Sequence, residues 1–191
     1  NLTQQEYVSK IQQLNAELIA SWKTDQRVKS LKIAIQCSKL LADSSAVMQF
    51  YPSKFVLVTD ILDIFGKLVY DRLKSKSEDE KSLPDNFTHE MIPEAAKETC
   101  LNWFYKVASI RELIPRLYVE MSLIRCYRFT NSSEIKAALG RISKMIRGIG
   151  DPLVAVYARC YLMRVGISTC EKQDYQECFN DFLNIYQTVR H

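Results

Sequence analysis

The sequence predicts an all-α protein, an α-solenoid in which successive helices pack side by side as antiparallel pairs. Apolar side chains recur at three-to-four-residue spacing along most of the 191 residues. Only 5 Gly and 5 Pro are present, fewer than the many tight turns of a β-sandwich or barrel require. Helix-start signals also recur at a steady interval in the second half of the chain. We therefore predict one solenoid segment over residues 1–191.

Two helices are predicted at the beginning of the chain. Thr3 and Glu6 form a capping box, in which the hydroxyl caps the first turn and the carboxylate reaches back to the cap residue. A second helix is expected to start near Thr24 or Asp25. Its apolar positions again follow a helical period, so each helix presents one stripe to a core.

The third predicted helix begins at Pro52, where the missing N–H of proline is tolerated in the first turn. It is apolar on nearly all sides between residues 55 and 69 and should therefore lie at the centre of the core. Residues 75–86 are rich in Ser, Lys and Glu, and they predict a solvated, mobile, charged loop.

Five further helices are predicted, with starts near residues 93, 112, 132, 151 and 171. The fifth helix of the chain should continue through Ile124 and Cys126. Ser132 or Ser133 should cap the sixth, and Gly148 or Gly150 should close it. Asp151-Pro152 pairs an N-cap with a proline at the first helical position, which is a strong start signal for the seventh. The eighth carries the apolar residues between 175 and 189.

The step between these later starts is close to twenty residues, so two helices make a unit of about forty. That period is typical of HEAT and armadillo repeats, and it predicts a HEAT-like α-solenoid of about eight antiparallel helices. No repeat is visible at the level of individual residues. A compact helical bundle is the competing architecture.

The six cysteines indicate a reducing compartment. None belongs to a Cys-x-x-Cys pair, and most lie among apolar residues at helical spacing, so we expect reduced thiols in the core. No charge-free apolar run reaches the length that spans a bilayer, and no signal peptide is visible. We expect a cytosolic chain, excised from a longer protein because it starts at Asn1. The cysteines are Cys37, Cys100, Cys126, Cys160, Cys170 and Cys178.

Positive charge is concentrated in the second half of the chain. Between Lys106 and Arg164 there are eleven Lys and Arg residues against four acids, a net charge of +7 within a chain of net +4. The segment is either an ordinary solvated face or a surface for an acidic protein partner or an anionic membrane. No aromatic-interleaved basic motif supports nucleic-acid binding.

No catalytic arrangement is apparent in the sequence. There are 2 His residues, His89 in a loop-like stretch and His191 at the end, and no motif pairs a nucleophile with a base. Asp60 and Asp63 are better interpreted as the solvent-exposed edge of a helix than as an acid–base pair. Gly148-Ile149-Gly150 lacks the Lys-Ser/Thr of a phosphate loop and is interpreted as a turn. We expect no enzyme activity, cofactor or metal.

The stretch Pro115-Arg116-Leu117-Tyr118 is distinctive, and it resembles the Pro-Arg-Leu-Tyr-Leu signature of the retromer large-subunit family, the vacuolar-sorting α-solenoids. Val119 replaces the final leucine. Other segments, in the same order along residues 25–166, are similar to the Retriever branch of that family, which belongs to the Commander assembly. They are Ile61–Tyr70, Ser109–Ile114 and Gly148–Pro152, while Arg159-x-Tyr161-Leu162 resembles the next helical hairpin of the retromer family as a whole.

The resemblance implies an elongated, non-catalytic scaffold that recycles membrane cargo from endosomes. It implies a cytoplasmic protein, peripheral on endosomes through its complex, with other Commander subunits as possible partners. It also implies that Pro115, Arg116, Leu117 and Tyr118 form the region that binds the arrestin-fold small subunit. Two roles remain open for these four residues, direct contact with the partner or support of the local fold. The metallophosphoesterase-like subunit of the family is not expected to bind this part of the solenoid.

Overall fold

A computed structural model describes residues 3–44 and 48–169 of the chain. Within these ranges there are seven α-helices, three short 3-10 segments and no strand, in agreement with the predicted all-α fold. The helices are α1 (Gln4–Lys23), α2 (Arg27–Lys39), α3 (Tyr51–Ser77), α4 (Glu94–Ala108), α5 (Leu113–Leu123), α6 (Ser133–Ile146) and α7 (Pro152–Ser168). The predicted eighth helix lies outside the described residues.

Local start signals place three of the helices correctly. The amide of Glu6 donates to the Thr3 hydroxyl and the amide of Thr3 donates to the Glu6 carboxylate, so the capping box is confirmed. Pro52 lies in the first turn of α3. The Asp151 carboxylate accepts from the amides of Leu153 and Val154 and opens α7. These caps satisfy orphan amides that a helix start would otherwise leave unpaired.

The charged loop was predicted to begin too early. α3 continues through Ser77, and the irregular segment runs from residue 78 to residue 88. The Lys76 ammonium donates to the Thr99 hydroxyl of α4 at 2.8 Å, and the Ser77 hydroxyl donates to the Leu73 carbonyl at 2.7 Å. Ser77 is 1% exposed, so this polar turn is packed against the protein rather than solvated.

Arg128 fixes the far end of the same segment. Its guanidinium donates to the backbone carbonyls of Asp85 and Phe87 and to the Tyr70 hydroxyl. The charged group also lies over the Phe87 ring, 3.6 Å from its centroid. The segment that links α3 to α4 is therefore tied to the core at this point.

The fifth helix is shorter than predicted. It ends at Leu123, and residues Ile124–Phe129 form a 3-10 segment. Ile124 and Cys126 are buried but belong to that segment, not to α5. α6 starts where predicted, with Ser132 as its N-cap residue, but Ser132 makes no side-chain capping bond and the Asn131 side chain accepts from the Ser133 amide instead.

α3 lies at the centre of the fold, as its apolar sequence predicted. It packs against α1, α2, α4 and α5, and it is joined to α7 by hydrogen bonds from Tyr161 and Arg164 to Asp63. Gly66 allows the closest approach, because a Cβ at this position would lie 2.1 Å from the Ser122 carbonyl oxygen of α5. Two tryptophans add an aromatic contact near the middle of α3, with Trp22 stacked on Trp103 at 5.9 Å between ring centroids.

From α1 to α5 each helix packs against the next, α6 packs against α7 and the Ile124–Phe129 segment, and a single apolar cluster includes residues of all seven helices. The connection between α1 and α2 is short, and Asp25 turns the chain there with a positive φ of 62°. A short connection of this kind makes neighbouring helices antiparallel. The arrangement is consistent with an α-solenoid.

The cysteine prediction is confirmed at three positions and wrong at one. Cys37, Cys100 and Cys126 are buried and unpaired, whereas Cys160 is exposed on α7. Burial raises the pKa of Cys37 to about 12 and that of Cys100 to about 12. Cys170 and Cys178 lie outside the described residues.

We expect Cys160 to react with iodoacetamide at pH 8 much faster than Cys37 and Cys100. A thiol with a pKa near 12 is ionised at roughly one part in ten thousand at that pH, and the thiolate is the reactive form. Peptide mass spectrometry after timed labelling measures each site separately. Rapid native labelling of Cys37 or Cys100 would contradict the burial, and labelling in denaturant provides the positive control.

Candidate functional site

The motif Pro115–Tyr118 forms the first turns of α5. Pro115 is the third residue of the helix, where its missing N–H breaks no intrahelical bond. Pro115, Leu117 and Tyr118 are buried, and Leu117 and Tyr118 have no exposed surface. Burying a leucine side chain contributes about 2 kcal/mol, so Leu117 stabilises the fold.

Tyr118 packs inside a cluster of tyrosines. Its ring stacks on that of Tyr161 from α7, with 5.6 Å between centroids. Burial raises the pKa of the Tyr118 hydroxyl well above its usual value, and the neighbouring Tyr51 hydroxyl adds to the effect. The Tyr51 hydroxyl in turn donates to the Leu41 carbonyl at 2.7 Å. Tyr118 therefore joins α5 to α7 and is not available to a partner at the surface.

Arg116 is the one partly exposed member of the motif. Its Nη1 donates to the backbone carbonyl oxygen of Ile110 at 3.1 Å. Ile110 lies in the turn between α4 and α5, so the guanidinium holds that turn against the start of α5. The structure thus places three residues of the motif in the core and the fourth against a surface turn, and their part in binding a partner stays a prediction.

Most of the arginines in the basic segment 106–164 are engaged within the protein. Arg141 donates to the Glu120 carboxylate, which also accepts from the Tyr127 hydroxyl at 2.9 Å. Arg164 pairs with Asp63 at 2.6 Å. Two further arginines are engaged as well. Arg125 lies over the Tyr70 ring, and Arg128 binds the 78–88 segment. The charge excess of the segment does not by itself make a basic face.

A basic groove instead forms where three helices meet. It lies between the start of α2, the later part of α3 and the second half of α4, and its volume is about 680 Å³. Five cationic side chains line it, while Asp25 is its single carboxylate. The cations are Arg27, Lys29, Lys32, Arg72 and Lys106.

The groove has features that suit a bound anion. Arg27 pairs with Asp25 at 2.8 Å, which leaves the other cations without a carboxylate in the lining. The N-cap of α2, Gln26, makes no side-chain capping bond, so the amides of the first turn and the positive end of the helix dipole are available. The Lys106 ammonium lies over the largely buried Trp103 ring, 5.4 Å from its centroid.

A second, smaller cavity of about 280 Å³ lies between α3, α5 and α7. Two of its three cations are matched by carboxylates, because Lys67 pairs with Asp71 at 2.6 Å and Arg164 pairs with Asp63, and the third, Arg125, lies over the Tyr70 ring. The contrast identifies the groove at α2, α3 and α4 as the stronger anion site among the described residues.

Two other kinds of site are absent from residues 3–44 and 48–169. No three His, Cys, Asp or Glu side chains there lie close enough together to hold a metal ion. None of the helices in those ranges is both long and apolar enough to cross a bilayer.

Comparison with known proteins identifies the family. The family model described as VPS35L, in its N-terminal form VPS35L_N, matches residues 1–191. The chain belongs to the VPS35L family. It is 58% identical over 192 aligned residues to the mouse protein named VPS35 endosomal protein-sorting factor-like, covering 99% of this chain and 20% of that protein.

The similarity extends across distant organisms. The human protein of the same name is 57% identical over 99% of this chain and 20% of its own length. The VPS35L relative from Dictyostelium discoideum is 51% identical over 88% of this chain and 17% of its own length. The chain therefore spans about a fifth of the curated relatives it matches. The resemblance to the Retriever large subunit is confirmed at the level of the VPS35L family.

Sequence reasoning did not find the groove in this VPS35L chain. Its cations come from three helices between positions 27 and 106, and only Lys106 belongs to the segment that stood out by charge. The usable signal was Arg27, Lys29 and Lys32 at the start of α2, where a helix normally favours acids.

Proposed function

We propose that this chain is a non-catalytic scaffold within an endosomal cargo-recycling complex of the Retriever type, and that it binds the arrestin-fold small subunit. The observation that carries the proposal is the Pro115–Tyr118 motif at the start of α5, within a chain whose relatives are named endosomal protein-sorting factors. A stack of helices with one continuous core supports a scaffold role, since such stacks expose rows of helix ends for docking. Association with endosomes would be peripheral and would occur through the complex.

Binding to purified small subunits tests this proposal. The chain is titrated, by calorimetry, with the arrestin-fold subunits of Retriever and of retromer side by side. We expect saturable binding to the Retriever subunit and weaker binding to the retromer subunit. Failure to bind either subunit, with circular dichroism confirming a folded chain, would refute the proposal.

The groove supports a second function, the binding of an acidic segment of another protein. Its five cations and the open N-terminus of α2 favour carboxylates, and the Val28 side chain favours an apolar residue beside them. Val28 is 48% exposed although it is apolar. The walls of the groove are formed by three helices. An extended polypeptide segment can enter such a groove, whereas a flat bilayer surface cannot. This observation favours an acidic protein partner over an anionic membrane surface.

We expect Arg72→Glu to weaken binding of a Glu- and Asp-rich peptide by at least about tenfold, because one cation is removed and a repulsive charge is added. Fluorescence anisotropy of a labelled peptide measures the change, and raising the salt concentration should also weaken the wild-type interaction. Lys144→Glu, an exposed cation on α6 outside the groove, is the matched control with the same charge change.

Two results would count against the groove. Equal losses for Arg72→Glu and Lys144→Glu would show that net charge, and not the groove, decides binding. Sedimentation with phosphatidylserine vesicles without measurable peptide binding would favour the membrane alternative.

A further inference from the structure

Asp25 supplies the single carboxylate in the lining of the basic groove, and it lies in the turn that leads into α2. Its Oδ1 accepts a hydrogen bond from Nη2 of Arg27 at 2.8 Å, so an anion of the chain itself already occupies one cation of the groove. The Asp25 side chain is 78% exposed. An ion pair as exposed as this one contributes little to folding, and another anion can therefore replace it.

We infer that Asp25 is an internal competitor for the acidic segment that the groove binds. In the free protein its carboxylate occupies Arg27 and adds negative charge to the binding site. When an acidic segment binds, one of its carboxylates replaces Asp25 at the guanidinium, and Asp25 turns towards the solvent. The inference rests on the proposed function of the groove, because it assigns how that site is regulated before it is occupied.

The backbone at Asp25 does not require an acid. Its φ of 62° lies in the left-handed region, and it is the one residue other than glycine with a positive φ in the described part of the chain. Glycine and asparagine also adopt this conformation. The turn itself is closed by backbone hydrogen bonds, in which the amides of Asp25 and Gln26 donate to the carbonyls of Trp22 and Ser21. The turn thus needs a residue that tolerates a positive φ, but it does not need a negative charge.

The guanidinium of Arg27 has donors that Asp25 does not use. The ion pair employs Nη2, while Nε is buried and has no hydrogen-bond partner among the described residues. A buried donor without an acceptor is unfavourable. The guanidinium also lies over the Trp22 ring, 5.6 Å from its centroid, which restricts its position. A carboxylate that binds arginine through two parallel hydrogen bonds would satisfy more of these donors than Asp25 does.

A purely structural role for Asp25 is the competing explanation. An acid near the start of a helix is favoured by the helix dipole, and the first turn of α2 contains no acid of its own. The two roles predict different results when the charge of Asp25 is removed. If Asp25 only supports α2, the melting temperature falls and the affinity for an acidic peptide stays the same. If Asp25 competes with the peptide, the affinity rises.

Asp25→Asn tests the inference, because asparagine has nearly the same shape, tolerates a positive φ and carries no charge. We expect the full chain with this substitution to bind a labelled Glu- and Asp-rich peptide about three- to fivefold more tightly than wild type, the equivalent of one exposed ion pair. Fluorescence anisotropy measures the affinity, and the gain should shrink as the salt concentration rises. Asp60→Asn is the matched control, since Asp60 is an exposed acid on α3 that does not line the groove.

Arg27→Gln shows whether Asp25 acts through this guanidinium. With Arg27 present, Asp25→Asn frees the guanidinium for the peptide. In the Arg27→Gln background there is no guanidinium to free, so Asp25→Asn should increase the affinity much less. An equal gain with and without Arg27 would overturn the competition for this side chain.

The remaining outcomes separate the inference from the function on which it rests. Unchanged or weaker binding by the Asp25→Asn chain, with the wild-type chain binding the peptide, would overturn the inference. Equal gains for Asp25→Asn and Asp60→Asn would also overturn it, because net charge alone would then decide the affinity. If neither the wild-type chain nor the Asp25→Asn chain binds the peptide, the proposed function of the groove fails instead.

Discussion

Gly66→Ala should reduce the free energy of unfolding by about 3 kcal/mol, at the upper end of what overpacking usually costs. A Cβ at this position would lie 2.1 Å from the carbonyl oxygen of Ser122, which is closer than two such atoms can approach. The obstacle is backbone in the last turn of α5, so no side-chain rotation relieves it. α3 and α5 must separate, and every contact between them weakens. For a chain of this size the melting temperature should fall by about 6 to 12 °C.

Gly140→Ala provides the control for this prediction. Gly140 lies within α6, and a Cβ there would meet no other atom within 4 Å. The substitution should therefore stabilise the protein by about 0.5 to 1 kcal/mol, the gain in helix propensity from Gly to Ala. Urea denaturation followed by circular dichroism measures both variants. If Gly66→Ala were as stable as wild type, the close packing of α3 on α5 would be wrong.

Arg141→Met should cost about 3 kcal/mol, because it leaves the buried Glu120 carboxylate without its charged partner. The Glu120 side chain is only 9% exposed, and Arg141 binds both of its carboxylate oxygens. Without the guanidinium, the carboxylate keeps only the bond from the Tyr127 hydroxyl. Glu120→Gln should cost less, about 1 to 2 kcal/mol, because the 49% exposed Arg141 can turn towards water.

The double variant separates this pairing from unrelated effects of the two substitutions. Glu120→Gln combined with Arg141→Met leaves no buried charge, so its loss should be smaller than the sum of the single losses by at least about 1.5 kcal/mol. Chemical denaturation of all four proteins gives the coupling energy. Strictly additive losses would show that the carboxylate and the guanidinium do not stabilise each other.

The sequence predicted those features of the fold that depend on neighbouring residues. The capping box at Thr3 and the Asp151-Pro152 start are local, because each cap bonds an amide two or three residues away. The central place of α3 was also predictable, since a helix that is apolar on nearly all sides must be covered on nearly all sides.

The sequence did not predict features that depend on tertiary contacts. The Lys76–Ser77 turn is polar in composition but is held by Thr99 and Leu73, so α3 is longer than its hydrophobicity indicates. The 3-10 segment after Leu123 is as apolar as a helix, and periodicity cannot distinguish the two.

The candidate sites show the same division. The motif at Pro115–Tyr118 was visible in the sequence, but the burial of Tyr118 follows from Tyr161, which lies 43 positions later on another helix. Arg72 becomes a groove residue only because α2 and α4 lie on either side of it. A site assembled from separate helices leaves no contiguous signal along the chain.

The length of α3 has a mechanical consequence. Its 27 residues make a rod of about 40 Å, at 1.5 Å per residue. Tyr161 and Arg164 of α7 donate hydrogen bonds to Asp63 near the middle of α3. Arg72, which lines the groove, lies further along the same helix. The distance between Arg72 in the groove and Asp63 at the α7 contact is therefore set along one continuous helix, with no loop between them. A protein bound at Arg72 would therefore be held at a constant distance from the Asp63 contact with α7.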